Sequence, residues 1–381
     1  MPIAFDVRAL ASTMRIELDD SLSTADQESI KAHWVDLAHD GGGEPDRVIR
    51  GSLRDQSIDG EYVVRADTAE ALAQRITSEI TTEAIHGLRG EALMLHASAV
   101  ALDDGRVIGF VGPSGRGKTT AANVLGHSYG YVTDETLAVR SDGSVVAYPK
   151  PLSIGSWPAV KATAPASALG LLEAPAHGLR LAALVLLDRR PGVDRPFVES
   201  VPILEALSDL VPQTSHLAAL ERPLRTLLGA VAAGGGVRRV VYSEAASLPS
   251  LIDDVLRQTP DTAPLLTDMG SLAQRDCGCF SRTDEQPTEP APVAGSDAYW
   301  RASYVDALLA DDSLIVLRAS RVVVLEGVGP ALWLAADGVT EDDLRDAALR
   351  ELPEPPAGID VAAVISESVR ELVEAGLLVR T

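Results

Sequence analysis

Gly112, Gly117, Lys118 and Thr119 stand at the spacing G-x-x-x-x-G-K-T inside GFVGPSGRGKTT, residues 109–120. That spacing is a phosphate-binding loop. Glycine lets the backbone close around phosphate oxygens and turn its N–H groups toward them. Lysine adds a point charge, and the hydroxyl beside it can ligate Mg²⁺. The expected nucleotide contacts are Gly112, Pro113, Ser114, Gly115, Arg116, Gly117, Lys118, Thr119 and Thr120. The chain has only four lysines, Lys31, Lys118, Lys150 and Lys161. One of them falls where the loop chemistry requires it.

Such a loop also needs a carboxylate near the metal. Two places offer one. Asp188 ends the apolar run Leu184-Val185-Leu186-Leu187, and Asp134-Glu135 follow soon after the loop. Patterning alone leaves both open. His96, in Leu95-His96-Ala97-Ser98, is a lone histidine on a strand just before the loop, and most such residues are structural. Lys150, in Tyr148-Pro149-Lys150-Pro151, either reaches the nucleotide or is exposed, with exposure the favoured reading. Cys277 and Cys279 have no second Cys or His pair nearby in sequence and are read as linker.

The elements that must position these groups follow from apolar spacing. Arg106–Val111 reads as a strand and Lys118–Leu125 as the first turns of a helix, so the helix N-terminus faces the phosphates. A strand over Leu93–Leu102 joins Arg106–Val111 through Asp103-Asp104-Gly105, which is hairpin chemistry. Tyr131–Arg140 and Ser144–Pro149 form another hairpin, and Leu181–Leu187 and Val237–Ser243 are further strands. Upstream, residues 1–90 form an α/β lead-in. Its helices run over Asp26–Leu37, with Ser23 or Thr24 as cap, and from Asp67 to about Leu88; its strands are Arg47–Leu53 and Tyr62–Ala66. Helices are expected near Ile203–Leu210, His216–Ala233 and up to Leu256. Residues 91–257 make the nucleotide-binding core, and 258–298 read as a flexible acidic linker. The closing domain, 299–381, has strands at Leu314–Leu317 and Val322–Leu325. Its helices lie near Val328–Ala336, Glu341–Arg350 (Thr340 as cap) and Asp360–Ala375, where Gly376 closes the last.

Length allows two or three domains, and 46% hydrophobic residues without a membrane-length apolar run give a soluble globular reading. The N-terminal residues show no signal-peptide pattern and the two cysteines make no disulfide framework, so a cytoplasmic location is expected. A formal charge of −22 argues against nucleic acid and anionic membrane as partners. Residues 297–381 hold seven arginines and no lysine against sixteen acids, so this segment in particular is unsuited to DNA.

The segment His96-Ala97-Ser98-Ala99-Val100, the hairpin, the loop from Gly112 to Thr119 and the pair Asp134-Glu135 together resemble the catalytic core of the HPr kinase family. The resemblance is strongest over about 90–155 and thins toward 257. It implies an α/β P-loop kinase module using ATP and Mg²⁺. His96 would sit by the transferred phosphate, Lys118 would bind it, Thr119 would hold Mg²⁺, and Asp134 would be the metal or base carboxylate, with Glu135 beside it. The resemblance favours Asp134 over Asp188. Glu135 stands where the family has a second aspartate, and the family's second signature, tied to phosphorolysis, is absent downstream.

Roughly Tyr304–Thr381 resembles PqqD-like domains, small winged-helix α+β modules that recognise leader peptides of ribosomally made, modified peptides. The carrying residues are Arg321–Leu325, the helix through Trp333, Asp337-Gly338-Val339-Thr340 and the helix ending in Glu-Ala-Gly-Leu-Leu. Such domains bind peptide by adding a strand to a sheet edge. By this resemblance Arg321, Val322, Val323, Val324 and Leu325 would be the edge, and Val361, Ile365 and Val369 an apolar wall. Two functions follow as expectations. One is a kinase acting on a hydroxyl of a precursor peptide. The other is a non-catalytic recognition protein that delivers the peptide to other modifying enzymes, its kinase fold kept as a scaffold or nucleotide-gated switch. A homo-oligomer is compatible with either.

Overall fold

The computed structural model describes residues 2–53, 62–155, 162–257, 266–268, 297–351 and 360–381. It divides into two units, Met1–Glu221 with Thr226–Asp261, and Arg222–Arg225 with Thr262–Thr381. Both mix helix and sheet.

The first unit opens with a β-hairpin, β1 (Ile3–Ala9) and β2 (Ser12–Leu18), ahead of the expected elements. Met14, Ile16 and Leu18 alternate inward and are fully buried, while Arg15 and Glu17 pair outward with Asp6 and Arg50. Helix α1 (Thr24–Ala32) is capped by the Ser23 hydroxyl, which accepts the Asp26 N–H. It stops short of the expected Leu37, because burial of Trp34 turns the chain into a separate short turn at Val35–Leu37. Parallel strands β3 (Arg47–Leu53) and β4 (Tyr62–Ala66) complete a four-stranded sheet. Helix α2 (Ala69–Gly87), capped by Thr68, presents Leu72, Ile76, Ile80 and Ala84 at helical spacing to this core. Each buried Leu or Ile there contributes about 1.5–3 kcal/mol.

The remaining elements of this region are β5 (Ala92–Ala101), β6 (Arg106–Val111), α3 (Lys118–Leu125), β7 (Gly130–Thr133), β8 (Thr136–Arg140), β9 (Val145–Val146), β10 (Leu152–Ile154), β11 (Ala162–Ala164), β12 (Leu172–Glu173), β13 (Arg180–Arg189), β14 (Phe197–Val201), α4 (Ile203–Leu210), β15 (Thr214–Ser215), α5 (Pro223–Ala233), β16 (Val237–Tyr242) and α6 (Ile252–Arg257). The large sheet has the order β12-β7-β5-β6-β13-β16-β14, with β8 and β15 also on β5. Strands β6, β13 and β16 are parallel, whereas β5 is antiparallel to β6 and β7. The strand expected over Tyr131–Arg140 is therefore two, broken at Asp134-Glu135. The helix expected from His216 starts only at Pro223, whose fixed φ suits a first helical turn; His216 itself has φ +54.

In the second unit β17 (Leu266–Asp268), β19 (Asp306–Ala310), β20 (Ser313–Arg318) and β21 (Arg321–Leu325) form an antiparallel sheet in that order, and β18 (Tyr299–Arg301) lies between β22 (Asp337–Val339) and β23 (Leu378–Arg380). Helices α7 (Gly329–Ala335), α8 (Glu341–Glu351) and α9 (Val361–Glu374) enclose a core around Trp333, Leu344, Ile365, Val369 and Leu372. Thr340 caps α8 through the Asp343 N–H, and Gly376 at φ +69 ends α9 with the Leu377 N–H on Leu372 O. Within the stretch read as a linker, Leu266–Asp268 is a strand; 258–265 and 269–296, with Cys277 and Cys279, lie outside the described residues. Ile365 and Val369, expected as an apolar wall for peptide, are 1–2% exposed and belong to this core. Their spacing serves packing, as it does on any core-facing helix.

Gly105 closes the β5–β6 hairpin at φ +85, and a Cβ there would lie 2.6 Å from the Gly178 carbonyl oxygen. Gly105→Ala should therefore destabilise the protein by about 1–3 kcal/mol, read from denaturant unfolding, because both backbone strain and a rigid neighbour oppose it.

Candidate functional site

Strand β6 ends at Val111 and α3 begins at Lys118, with the loop between them. Gly115 and Gly117 hold φ of +80 and +92, a region that side chains rarely enter. Their conformation bends the loop over the N-terminus of α3. There the N–H groups of Lys118 and Thr119, in the first turn, have no intrahelical acceptor. The loop itself, Pro113 to Arg116, is exposed, Thr119 is half-buried and Thr120 exposed. Two inner strands back it: Leu187 of β13 lies against Gly112, and the Tyr242 hydroxyl of β16 donates to Arg116 O. Lys118 is buried, and its ammonium donates to Gly112 O at 2.6 Å and Pro113 O at 3.3 Å. Burial holds its pKa below the usual lysine value, with Glu135 and Asp134 pulling the other way.

Register places the acids. Val111, the last residue before the loop, pairs with Ala97 on one edge of β5, and Thr133, the last before Asp134, pairs with Ala99 on the other. Loop and acid pair thus leave the sheet at the same end of β5, two strand spacings apart, about 10 Å. Between them stands His96. Burial and the Lys118 charge lower its pKa, opposed by Glu135, by a hydrogen bond to the Glu135 backbone and by Asp134. The ring is therefore neutral at neutral pH and able to accept a proton.

Asp134 is buried, and its Oδ1 accepts from Lys150 Nζ at 2.9 Å and from the Tyr131 hydroxyl at 3.0 Å. Glu135 is partly exposed and meets the same ammonium at 3.2 Å. Lys150 is thus not exposed, as the sequence had suggested, but 2% accessible. The cause is tertiary. The Tyr148 N–H bonds Val132 O on β7, and the Tyr148 hydroxyl bonds Thr81 of α2, so the segment is pinned inward. Burial raises the pKa of both tyrosines, and the carboxylates raise that of Lys150 against its own burial. Sequence reasoning missed Tyr131 and Tyr148 and favoured an exposed Lys150. The available signal was a scarce lysine held between two prolines.

Asp188 is the next-to-last residue of β13, parallel to β6, so it too stands at the loop end of the sheet. Its carboxylate is engaged by Arg190 at 2.6 Å, and Lys118 feels Asp134 and Glu135 instead. Left-handed glycines, free N–H groups and Lys118 fit a nucleotide phosphate chain. The oxygen donors of Thr119, Asp134 and Glu135 suit a hard cation such as Mg²⁺. Among the described residues no group of three or more His, Cys, Asp or Glu is gathered, so protein carboxylates would supply at most part of a metal's shell.

No family model matches the chain, and no curated protein does. Among solved structures the chain is similar to the HPr(Ser) kinase/phosphatase from Coxiella burnetii, at 14% identity and a TM-score of 0.24, over 43% of this chain and 93% of that one. Likeness at that level leaves the assignment to the site's own chemistry. No helix among the described residues is long and apolar enough to cross a membrane.

Lys118→Ala should weaken binding of Mg·ATP by about 10- to 100-fold, the scale of one charged hydrogen-bonding contact at about 1.5–3 kcal/mol. Calorimetry on the folded variant checks it; unchanged affinity overturns the loop assignment.

Proposed function

We propose that the chain is an ATP- and Mg²⁺-dependent phosphotransferase of the HPr-kinase type, acting on a hydroxyl of a ribosomally made peptide that its second unit recognises. The observation that carries the reading is the convergence of loop, His96 and acid pair at one end of β5. ATP with Mg²⁺ supplies the phosphoryl group and shields its charge. The loop N–H groups and Lys118 hold the phosphates in place and stabilise charge in transfer. Thr119, Asp134 and Glu135 would hold the metal. Asp134 already has one oxygen engaged by Lys150 and Tyr131, whereas burial and the Lys118 charge favour the neutral form of His96. His96 is accordingly the group that takes the acceptor's proton.

Support for peptide recognition lies in β21, the end strand of its sheet. Arg318 and Arg321 flank a two-residue turn, and such hairpins close on a hydrogen-bonded pair. Arg321, Val323 and Leu325 then donate to β20, and the N–H groups of Val322 and Val324 face away, available to an added strand. A second reading, peptide delivery by a nucleotide-binding scaffold without transfer, is favoured by the Lys150 ammonium, which occupies one oxygen each of Asp134 and Glu135.

Incubation with γ-labelled ATP and peptides encoded beside the gene separates the two: label on the peptide means kinase, and binding of both ligands without label means scaffold. If label is transferred, Asp134→Asn should lower turnover by about 100-fold or more, the scale of a lost charge-stabilising group. Asp188→Asn should lower it far less; the reverse order removes Asp134 from its role. Val324→Pro should weaken peptide binding while leaving the fold intact, since only an outward N–H is lost. Val323→Pro instead removes a donor to β20 and should unfold the hairpin. Fluorescence anisotropy with labelled peptide and circular dichroism read the two effects apart.

A further inference from the structure

Lys150 forms a contact set unlike that of any exposed surface lysine. An ammonium has three N–H donors. Here they meet Asp134 Oδ1 at 2.9 Å, Glu135 Oε2 at 3.2 Å and Pro151 O at 3.3 Å. The ammonium thus has three oxygens within 3.3 Å and stands beside Tyr131 and Tyr148, both buried. The side chains of Lys150 and Asp134 are each 3% exposed, so solvent does little to screen the pair. Adjacent carboxylates repel, and in a buried setting one of them stays charged only beside a cation. Lys118 does not fill this role, because its ammonium is held by Gly112 O and Pro113 O.

We propose that Lys150 is the resident counter-ion of the Asp134–Glu135 pair and competes with a divalent cation for its oxygens. This rests on the reading of that pair as metal-binding. The oxygens an ammonium prefers are also those a hard cation prefers. With Lys150 in place the pair offers about one net negative charge instead of two, too little to collect a free divalent ion strongly. The cation then enters with the nucleotide phosphates, which supply the missing ligands and charge. Lys150 thereby makes the site selective for the metal–nucleotide complex over the metal alone. It acts as a positioning residue, through the carboxylates rather than on the substrate.

The test measures Mn²⁺ binding to the full-length protein without nucleotide, by electron paramagnetic resonance. Lys150→Gln keeps an N–H donor, one bond shorter, but removes the charge, and Lys150→Arg keeps the charge. The expected result is at least tenfold tighter Mn²⁺ binding in Lys150→Gln than in wild type, with Lys150→Arg within a fewfold of wild type. The gain should vanish in the Lys150→Gln/Asp134→Asn double variant. Melting of Lys150→Gln should also rise with Mn²⁺ concentration more steeply than that of wild type, since the ion binds only the folded protein. Should Lys150→Gln fold only when Mn²⁺ is present, the replacement of ammonium by metal is supported directly; failure to fold with Mn²⁺ overturns it. Equal affinity in wild type and Lys150→Gln, abolished in both by Asp134→Asn, overturns the competition but leaves the metal assignment standing. Binding insensitive to Asp134→Asn overturns both.

Discussion

Backbone hydrogen bonding along β5 changes partner midway, and the site of the first unit depends on that change. One edge of the strand pairs with β8 from Ala92 to His96 and with β7 from Ala99 to Ala101. The other edge pairs with β15 and then with β6. Asp134-Glu135 occupy the break between β7 and β8, anchored by the Ala97 N–H on Glu135 O. A slip of one residue in β5 would turn His96 to the opposite face. The chemistry is therefore set by ladder register before any side chain contributes.

Charge burial is the second constraint. Two lysines and one aspartate are removed from water within this small region. A buried ion pair adds little net stability, because desolvation offsets the attraction. Breaking one, in contrast, costs about 3–5 kcal/mol through the charge left behind. The Lys150–Asp134 contact is thus better understood as fixing geometry than as holding the fold together. Stability comes from the apolar layers on either side: the α2 face against the four-stranded sheet, and α3 with Leu248, Leu251 and Ile252 against the large one.

What could be read in the sequence was what is decided locally. The loop was legible because its glycines, lysine and hydroxyl act through backbone conformation over a dozen residues, and the hairpin at Asp103-Asp104-Gly105 for the same reason. The helix α2 followed from spacing and a threonine cap. Lys150 was not legible, since a proline-flanked lysine reads as surface until Tyr148 is seen to anchor it to α2 and β7. The β1–β2 hairpin did carry a signal in the alternation of Met14, Ile16 and Leu18. On α9 the apolar spacing was visible, but whether Ile365 and Val369 face a core or a groove is decided by Trp333 and Leu344, far away in sequence.

The antiparallel entry of β5 beside β6 also bears on how the molecule assembles. In a sheet where the loop strand has only parallel neighbours, each pairing must wait for a long crossover to close. Here His96, the loop, the acid pair and Lys150 come from one continuous stretch, joined by a tight turn, a single helix and a broken strand. Closing short loops costs less chain entropy than closing long ones, and contacts local in sequence form fastest. The candidate site can therefore take shape on its own stretch of chain, with β13 and β16 docking afterwards to back the loop with Leu187 and Tyr242.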